Sequence, residues 1–116
     1  MCTGIFIPTQ NKEFVFGRTL EFGIPLTFTQ ICNHYLIATI GHFYNSNNEY
    51  LLDGLNKYGL FVGVFFYPYM SAEYSKNSKK NYLNIVDGDL GFYILNNFKT
   101  INDLIQNLSN FNILQS

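Results

Sequence analysis

The chain has 116 residues and a formal net charge of −1, enough for one domain and too little positive charge to gather nucleic acid. Hydrophobic residues make up 47% and charged residues 13%, a globular balance; no run reaches the roughly 18 apolar residues of a membrane span, and no basic-then-apolar signal peptide opens the chain. With 12 Phe, 9 Tyr and no Trp, the aromatic side chains either fill a sandwich core or line an apolar pocket.

The first half reads as strands. Thr3 to Pro8 holds Ile5, Phe6 and Ile7 and is stopped by Pro8; Thr9 to Lys12 is polar and turn-like. Glu13 to Leu20 alternates in part, with Phe14 and Phe16 on one face and Val15 on the other. These two segments predict a hairpin. Gly17-Arg18 breaks its apolar pattern where a side chain can be presented. Phe22 to Pro25 reads as a turn, and Leu26 to Ile31 and Tyr35 to Ile40 read as strands. After a polar break at Asn45 to Glu49, Leu51 to Tyr58 is compatible with a short helix or a turn. Leu60 to Phe66 is a nearly unbroken apolar run, the pattern of a strand buried on both faces.

Ser71 to Asn81 is a polar loop, with Lys76, Lys79 and Lys80 as a solvated cluster. Two helices are predicted beyond it. Asp87 can cap one that runs to about Asn97. Thr100 and Asp103 form a capping-box pattern before Ile101, Leu104, Ile105 and Leu108, which fall at helical spacing. Strands first and helices last imply α+β layers rather than alternating βαβ units. Asn is abundant and evenly spread, as base composition alone would make it.

The front end carries the chemistry. Met1 precedes the small residue Cys2, and its removal leaves a thiol and an α-amine on one residue. Their ordinary pKa values, about 8.5 and about 7.7–8.0, both lie near working pH. The amine can take the thiol proton and later deliver it to a leaving nitrogen, as N-terminal nucleophiles do. In the predicted hairpin, Arg18 lies on the strand beside Cys2, where a guanidinium favours the thiolate. Glu21 either holds the α-ammonium or orients Arg18 through a bidentate pair; a surface Arg–Glu pair is the plain alternative. Cys2 and Cys32 make no disulfide framework and are expected as thiols in a reducing, cytoplasmic compartment. His34 and His42 stand eight apart, with no CxxC or HExxH, so neither a metal site nor a cofactor is expected.

Met1-Cys2-Thr3-Gly4-Ile5, followed by Gly17-Arg18-Thr19-Leu20-Glu21-Phe22-Gly23, resembles the start of the choloylglycine hydrolase and penicillin V acylase family. Asp53-Gly54-Leu55-Asn56-Lys57-Tyr58-Gly59-Leu60 is similar to that family's segment before its central strand. Asn97-Phe98-Lys99-Thr100-Ile101 resembles its helix–helix junction. The likeness runs through the whole chain in order.

The resemblance implies an α+β fold: residues 1–116 as a single, partial domain, the N-terminal portion of an αββα N-terminal-nucleophile hydrolase sandwich, with antiparallel strands followed by two helices. It implies hydrolysis of linear amide C–N bonds in bile-salt-like or acyl-amide small molecules. Cys2 matches the nucleophile and Arg18 the arginine beside it; Glu21 fills a slot where members carry Asp. Phe66, with Tyr67 adjacent, falls at the end of the central strand, near the oxyanion and the substrate. Members are much longer, and their further portion holds an oxyanion-hole asparagine and a second arginine. The expectation is therefore a truncated chain, weak or inactive alone, or one completed by a second chain that supplies the missing half. The alternative is a non-catalytic, partner-binding remnant. Neither nucleic acid nor a membrane span is expected.

Overall fold

The computed structural model describes residues 2–19, 27–29, 34–40, 50–65 and 74–115, of which 27–29, 34–40 and 50 are described by their backbone. Strands β1 (Gly4–Pro8) and β2 (Phe14–Arg18) form the predicted antiparallel hairpin, in the register Gly4 opposite Arg18 and Phe6 opposite Phe16. Pro8 lacks a donor to extend the ladder. The polar turn closes with Thr9 N donating to Glu13 O at 2.8 Å, and Lys12 takes a left-handed φ of 61°.

Strands β3 (Thr27–Thr29), β4 (His34–Ile40), β5 (Tyr50–Asn56) and β6 (Phe61–Gly63) form an antiparallel sheet in chain order. Here the structure corrects the reading of Leu51 to Tyr58 as helix or turn: most of it is strand β5. The register slips at Leu52, because Ala38 faces Asp53 while Thr39 faces Leu51. That bulge adds one residue to β5 and turns Leu51 to the face of Gly54 and Asn56. Alternation in the sequence is thereby hidden. The chain reverses at Asn56 to Gly59, where Gly59 N donates to Asn56 O at 3.0 Å and Gly59 has φ +84°, a conformation that suits glycine. Strand β6 is shorter than the predicted run to Phe66 and is half-buried. Residues 66–73 lie outside the described residues.

Two helices follow, as predicted. A 3-10 turn at Asp87–Asp89 leads into α1 (Leu90–Asn97); Asp87 lies within that turn, its Oδ1 accepting from Gly88 N at 2.7 Å, and the N-cap of α1 is Asp89 without a side-chain cap bond, so Asp87 is not the cap that the sequence suggested. Helix α2 (Ile101–Asn107) opens with the full capping box: Thr100 Oγ1 accepts from Asp103 N at 3.1 Å, and Thr100 N donates to Asp103 Oδ2 at 3.2 Å. Two further strands flank the helices, and the second departs from the strands-then-helices order. β7 (Leu83–Val86) precedes the helices, β8 (Phe111–Leu114) follows them, and they pair in parallel. The helices serve as the crossover that a parallel pair requires.

Helix α1 packs on one face of the four-stranded sheet. Leu51 and Leu95 are buried against each other, with Val62 and Phe92 beside them. The contact is close because Gly54 and Gly91 carry no Cβ; one added to Gly91 would overlap Leu51, and one added to Gly54 would overlap Leu95. Asn56, only 1% exposed, ties the layers together. Its Nδ2 donates to Leu95 O at 3.1 Å and Phe98 O at 2.8 Å, and its Oδ1 accepts from Tyr58 N and Leu60 N, each at 3.0 Å. Asp53, Leu55, Phe61 and Gly63 occupy the opposite face, toward the β1–β2 hairpin. The order of layers is hairpin, sheet, helix.

Candidate functional site

In an antiparallel pair, residues directly opposite share a face, and side chains alternate along each strand. Gly4 opposite Arg18 therefore puts Gly4, Phe6, Phe16 and Arg18 on one face of the hairpin. The pairing extends past β1, since Thr19 N donates to Thr3 O at 2.9 Å and Thr3 N donates to Thr19 Oγ1 at 3.1 Å. Alternation carried two residues back from Gly4 assigns Cys2 to the Arg18 face. The two are related by a diagonal step, about 7–8 Å between backbones, within reach of a long side chain. Cys2 is half-buried and is not in a disulfide.

Arg18 crosses from the hairpin to the sheet. Its side chain is 4% exposed and that of Asp53 13%, with Arg18 Nη1 at 2.5 Å from Asp53 Oδ1. Nη1 also donates to Val64 O at 2.9 Å. The Phe65 ring covers one flat side of the guanidinium, its centroid 4.3 Å from Cζ, a cation–π contact. Gly4 makes room for that ring: a Cβ on Gly4 would lie 2.8 Å from Phe65 Cζ. Both Nη1 hydrogens are thus used. Nε and Nη2 are buried and, among the described residues, have no hydrogen-bond partner. Buried donors left in that state cost roughly 1–3 kcal/mol each, so this edge has donors to give to a further acceptor.

Burial pushes the Asp53 carboxyl above its ordinary 3.8, while the hydrogen bond and the charge of Arg18 pull it back. Beside the ion pair opens a cavity of about 300 Å³, lined by Phe6, Phe14, Phe16, Leu55 and Phe61 with Arg18 and Asp53. Phe16 and Phe61 meet across it at 3.9 Å between ring centroids. An apolar pocket with a few convergent polar groups is the usual form of a small-molecule site.

The structure thus pairs the strand that begins just after Cys2 with the strand that carries Arg18. Glu21, Phe66 and Tyr67 lie outside the described residues, as do Cys32 and His42. Among the described residues, no group of three or more His, Cys, Asp or Glu is placed to hold a metal ion, and no helix is long and apolar enough to cross a membrane. Sequence reasoning missed Asp53 as the partner of Arg18. The signal was a lone acid in the apolar stretch from Tyr50 to Gly63.

A family model for linear amide C–N hydrolases, choloylglycine hydrolase family, matches residues 26–116. An uncharacterised protein of Paramecium bursaria Chlorella virus 1 is 31% identical over 105 residues, covering 90% of this chain and 35% of its own length. Among solved structures, the C2A mutant of conjugated bile acid hydrolase from Clostridium perfringens superposes with a TM-score of 0.77 at 21% identity, over 98% of this chain and 39% of that one. The R18L variant of conjugated bile acid hydrolase from the same organism gives a TM-score of 0.55 at 21% identity, over 97% of this chain and 31% of that one. The chain therefore spans about a third of the length of these relatives, and its mixed antiparallel strands and helices match part of the N-terminal-nucleophile hydrolase fold.

Proposed function

We propose that this chain, which belongs to the choloylglycine hydrolase family of linear amide C–N hydrolases, carries the nucleophile side of an amide-hydrolysing site. The observation that carries the reading is Arg18: a buried guanidinium, fixed at one nitrogen, with its Nε–Nη2 edge unpartnered among the described residues, on the strand paired with the one that follows Cys2. The solved Clostridium perfringens structures are a C2A and an R18L variant, and this chain has cysteine and arginine at those numbers.

With Met1 removed, the Cys2 thiol passes its proton to its own α-amine, and the sulfur attacks the amide carbonyl carbon. As the C–N bond breaks, the α-ammonium returns the proton to the leaving nitrogen, and an acyl-thioester remains on Cys2. Water, deprotonated by the same amine, attacks the thioester carbon; the thiol is restored and the carboxylic acid leaves. Arg18 stabilises the thiolate and the charge that develops beside it. Glu21 holds the α-ammonium. Phe66 and Tyr67 border the acyl group, which extends over the aromatic cavity. The substrate is a bile-salt-like or other acyl amide, and a reducing, cytoplasmic setting keeps Cys2 a thiol. The oxyanion-hole asparagine and second arginine come from the portion of the family fold beyond this match, in the same or a second polypeptide.

A second reading is a non-catalytic chain that binds a partner. The outer face of the hairpin favours it, with Ile5, Ile7 and Val15 exposed at 57%, 54% and 57%, a patch of the kind that marks interaction surfaces. The test is incubation with a conjugated bile salt and with penicillin V, followed by intact mass measurement, with Cys2→Ser as control. Loss of Met1, an acyl increment on Cys2 and product release support hydrolysis. Retained Met1, or a Cys2 that alkylates no faster than Cys32, refutes it.

A further inference from the structure

We propose that Asp53 is a positioning residue for Arg18: by fixing Nη1, it sets the plane of the guanidinium so that the Nε–Nη2 edge serves the reacting sulfur and substrate oxygen. The inference rests on the catalytic reading above and deepens it. A guanidinium has five N–H donors in a rigid planar fork. Two of them leave from Nη1, and both are taken, by Asp53 Oδ1 and by Val64 O. The Phe65 ring closes one flat side, in the space that Gly4 leaves open. Three contacts from one sheet therefore hold the head group in one plane. The remaining donors, one on Nε and two on Nη2, have no partner among the described residues, and the Nε hydrogen and one Nη2 hydrogen share the other edge.

Without Asp53, a side chain 4% exposed would keep only the Val64 carbonyl as an oriented acceptor. A buried cation in that position turns toward water, since an unpaired buried charge is costly. Asp53 sits in the adjacent sheet layer, on the face toward the hairpin, 35 residues along the chain from Arg18. Its carboxylate is bonded to Arg18 Nη1, so it acts on the reacting sulfur through Arg18. Among the described residues, the charged side chains lining this site are Arg18 and Asp53; the catalytic reading adds Glu21 and the α-amine of Cys2.

The experiment follows iodoacetamide alkylation of Cys2 against pH, with Cys2 and Cys32 resolved as separate peptides by mass. Arg18→Gln should raise the midpoint pH and slow alkylation at pH 7 by about tenfold. Asp53→Ala should slow it by roughly threefold to tenfold and add nothing in an Arg18→Gln background. Asp53→Asn, whose amide oxygen still accepts from Nη1, should return the midpoint to the parent value or below. The direction is informative: removal of a carboxylate's charge alone would lower the midpoint, whereas loss of the anchor raises it. Asp53→Ser, too short to reach Nη1, replaces Asp53→Ala if that variant fails to fold. An unshifted or lowered midpoint in Asp53→Ala or Asp53→Ser, with Arg18→Gln shifted, overturns the positioning role and leaves the catalytic reading standing. A shift that persists in the Arg18→Gln background overturns it too. An unshifted Arg18→Gln refutes the catalytic reading, and this inference with it.

Discussion

Replacing Asn56 by alanine should remove about 4 kcal/mol of stability. Its amide uses both donors and both acceptor positions, on Leu95 O, Phe98 O, Tyr58 N and Leu60 N. The bonds to Leu95 O and Leu60 N are buried, and those to Phe98 O and Tyr58 N are part-buried. Water can replace the second pair and not the first. Two buried groups stranded at about 1–3 kcal/mol each give about 4 kcal/mol together, a large share of the 5–15 kcal/mol typical of a domain. Urea unfolding followed by far-UV circular dichroism reads the change. With a slope of about 2 kcal/mol/M, the midpoint should fall by about 2 M at unchanged slope. Asn56→Asp gives a second reading. It sets a buried carboxylate against two carbonyl oxygens, so its folded pKa is raised, and its stability should improve as pH falls. A loss below about 1 kcal/mol in Asn56→Ala, or an Asn56→Asp variant least stable in acid, would refute the claim that this amide joins sheet to helix.

Asp53 is raised in the folded state, chiefly by burial, so the folded chain binds its proton more readily than the unfolded chain. Relative to Asp53→Asn, the parent should therefore lose stability as pH rises from about 3.8 through the folded value, which urea midpoints taken between pH 3.5 and 7 would show. Gly91→Ala drives a methyl group into Leu51 and should cost about 1–3 kcal/mol by thermal unfolding, but less in a Leu51→Ala background, where the space is vacated. Thr100→Ala removes the acceptor for Asp103 N and should cost about 1 kcal/mol, read as a lowered thermal midpoint.

Several asparagines answer to structure, contrary to the composition-only reading of their abundance. Beside Asn56, the paired residues Asn84 and Asn112 join β7 to β8, with Asn112 Nδ2 donating to Asn84 Oδ1 at 2.7 Å. Asn84 Oδ1 also accepts from Lys79 N at 2.8 Å, which fastens the polar loop. A buried amide that saturates backbone groups contributes through its partners, and nothing in its own sequence context announces them.

The β1–β2 hairpin, the placement of Arg18 opposite Gly4 and the Thr100–Asp103 capping box were all written in local order, where turn residues, alternation and cap chemistry act over a few positions. The family motifs likewise pointed to Cys2 and Arg18 without help from packing. Folding in three dimensions decided the rest. The bulge at Leu52 concealed the strand character of β5 by moving Leu51 to the helix side. The parallel β7–β8 pair formed across two intervening helices. Asp53 became the counter-charge of Arg18 because two separate layers turned those side chains toward each other. Such pairings depend on which faces meet once the layers stack, and linear spacing carries no record of that.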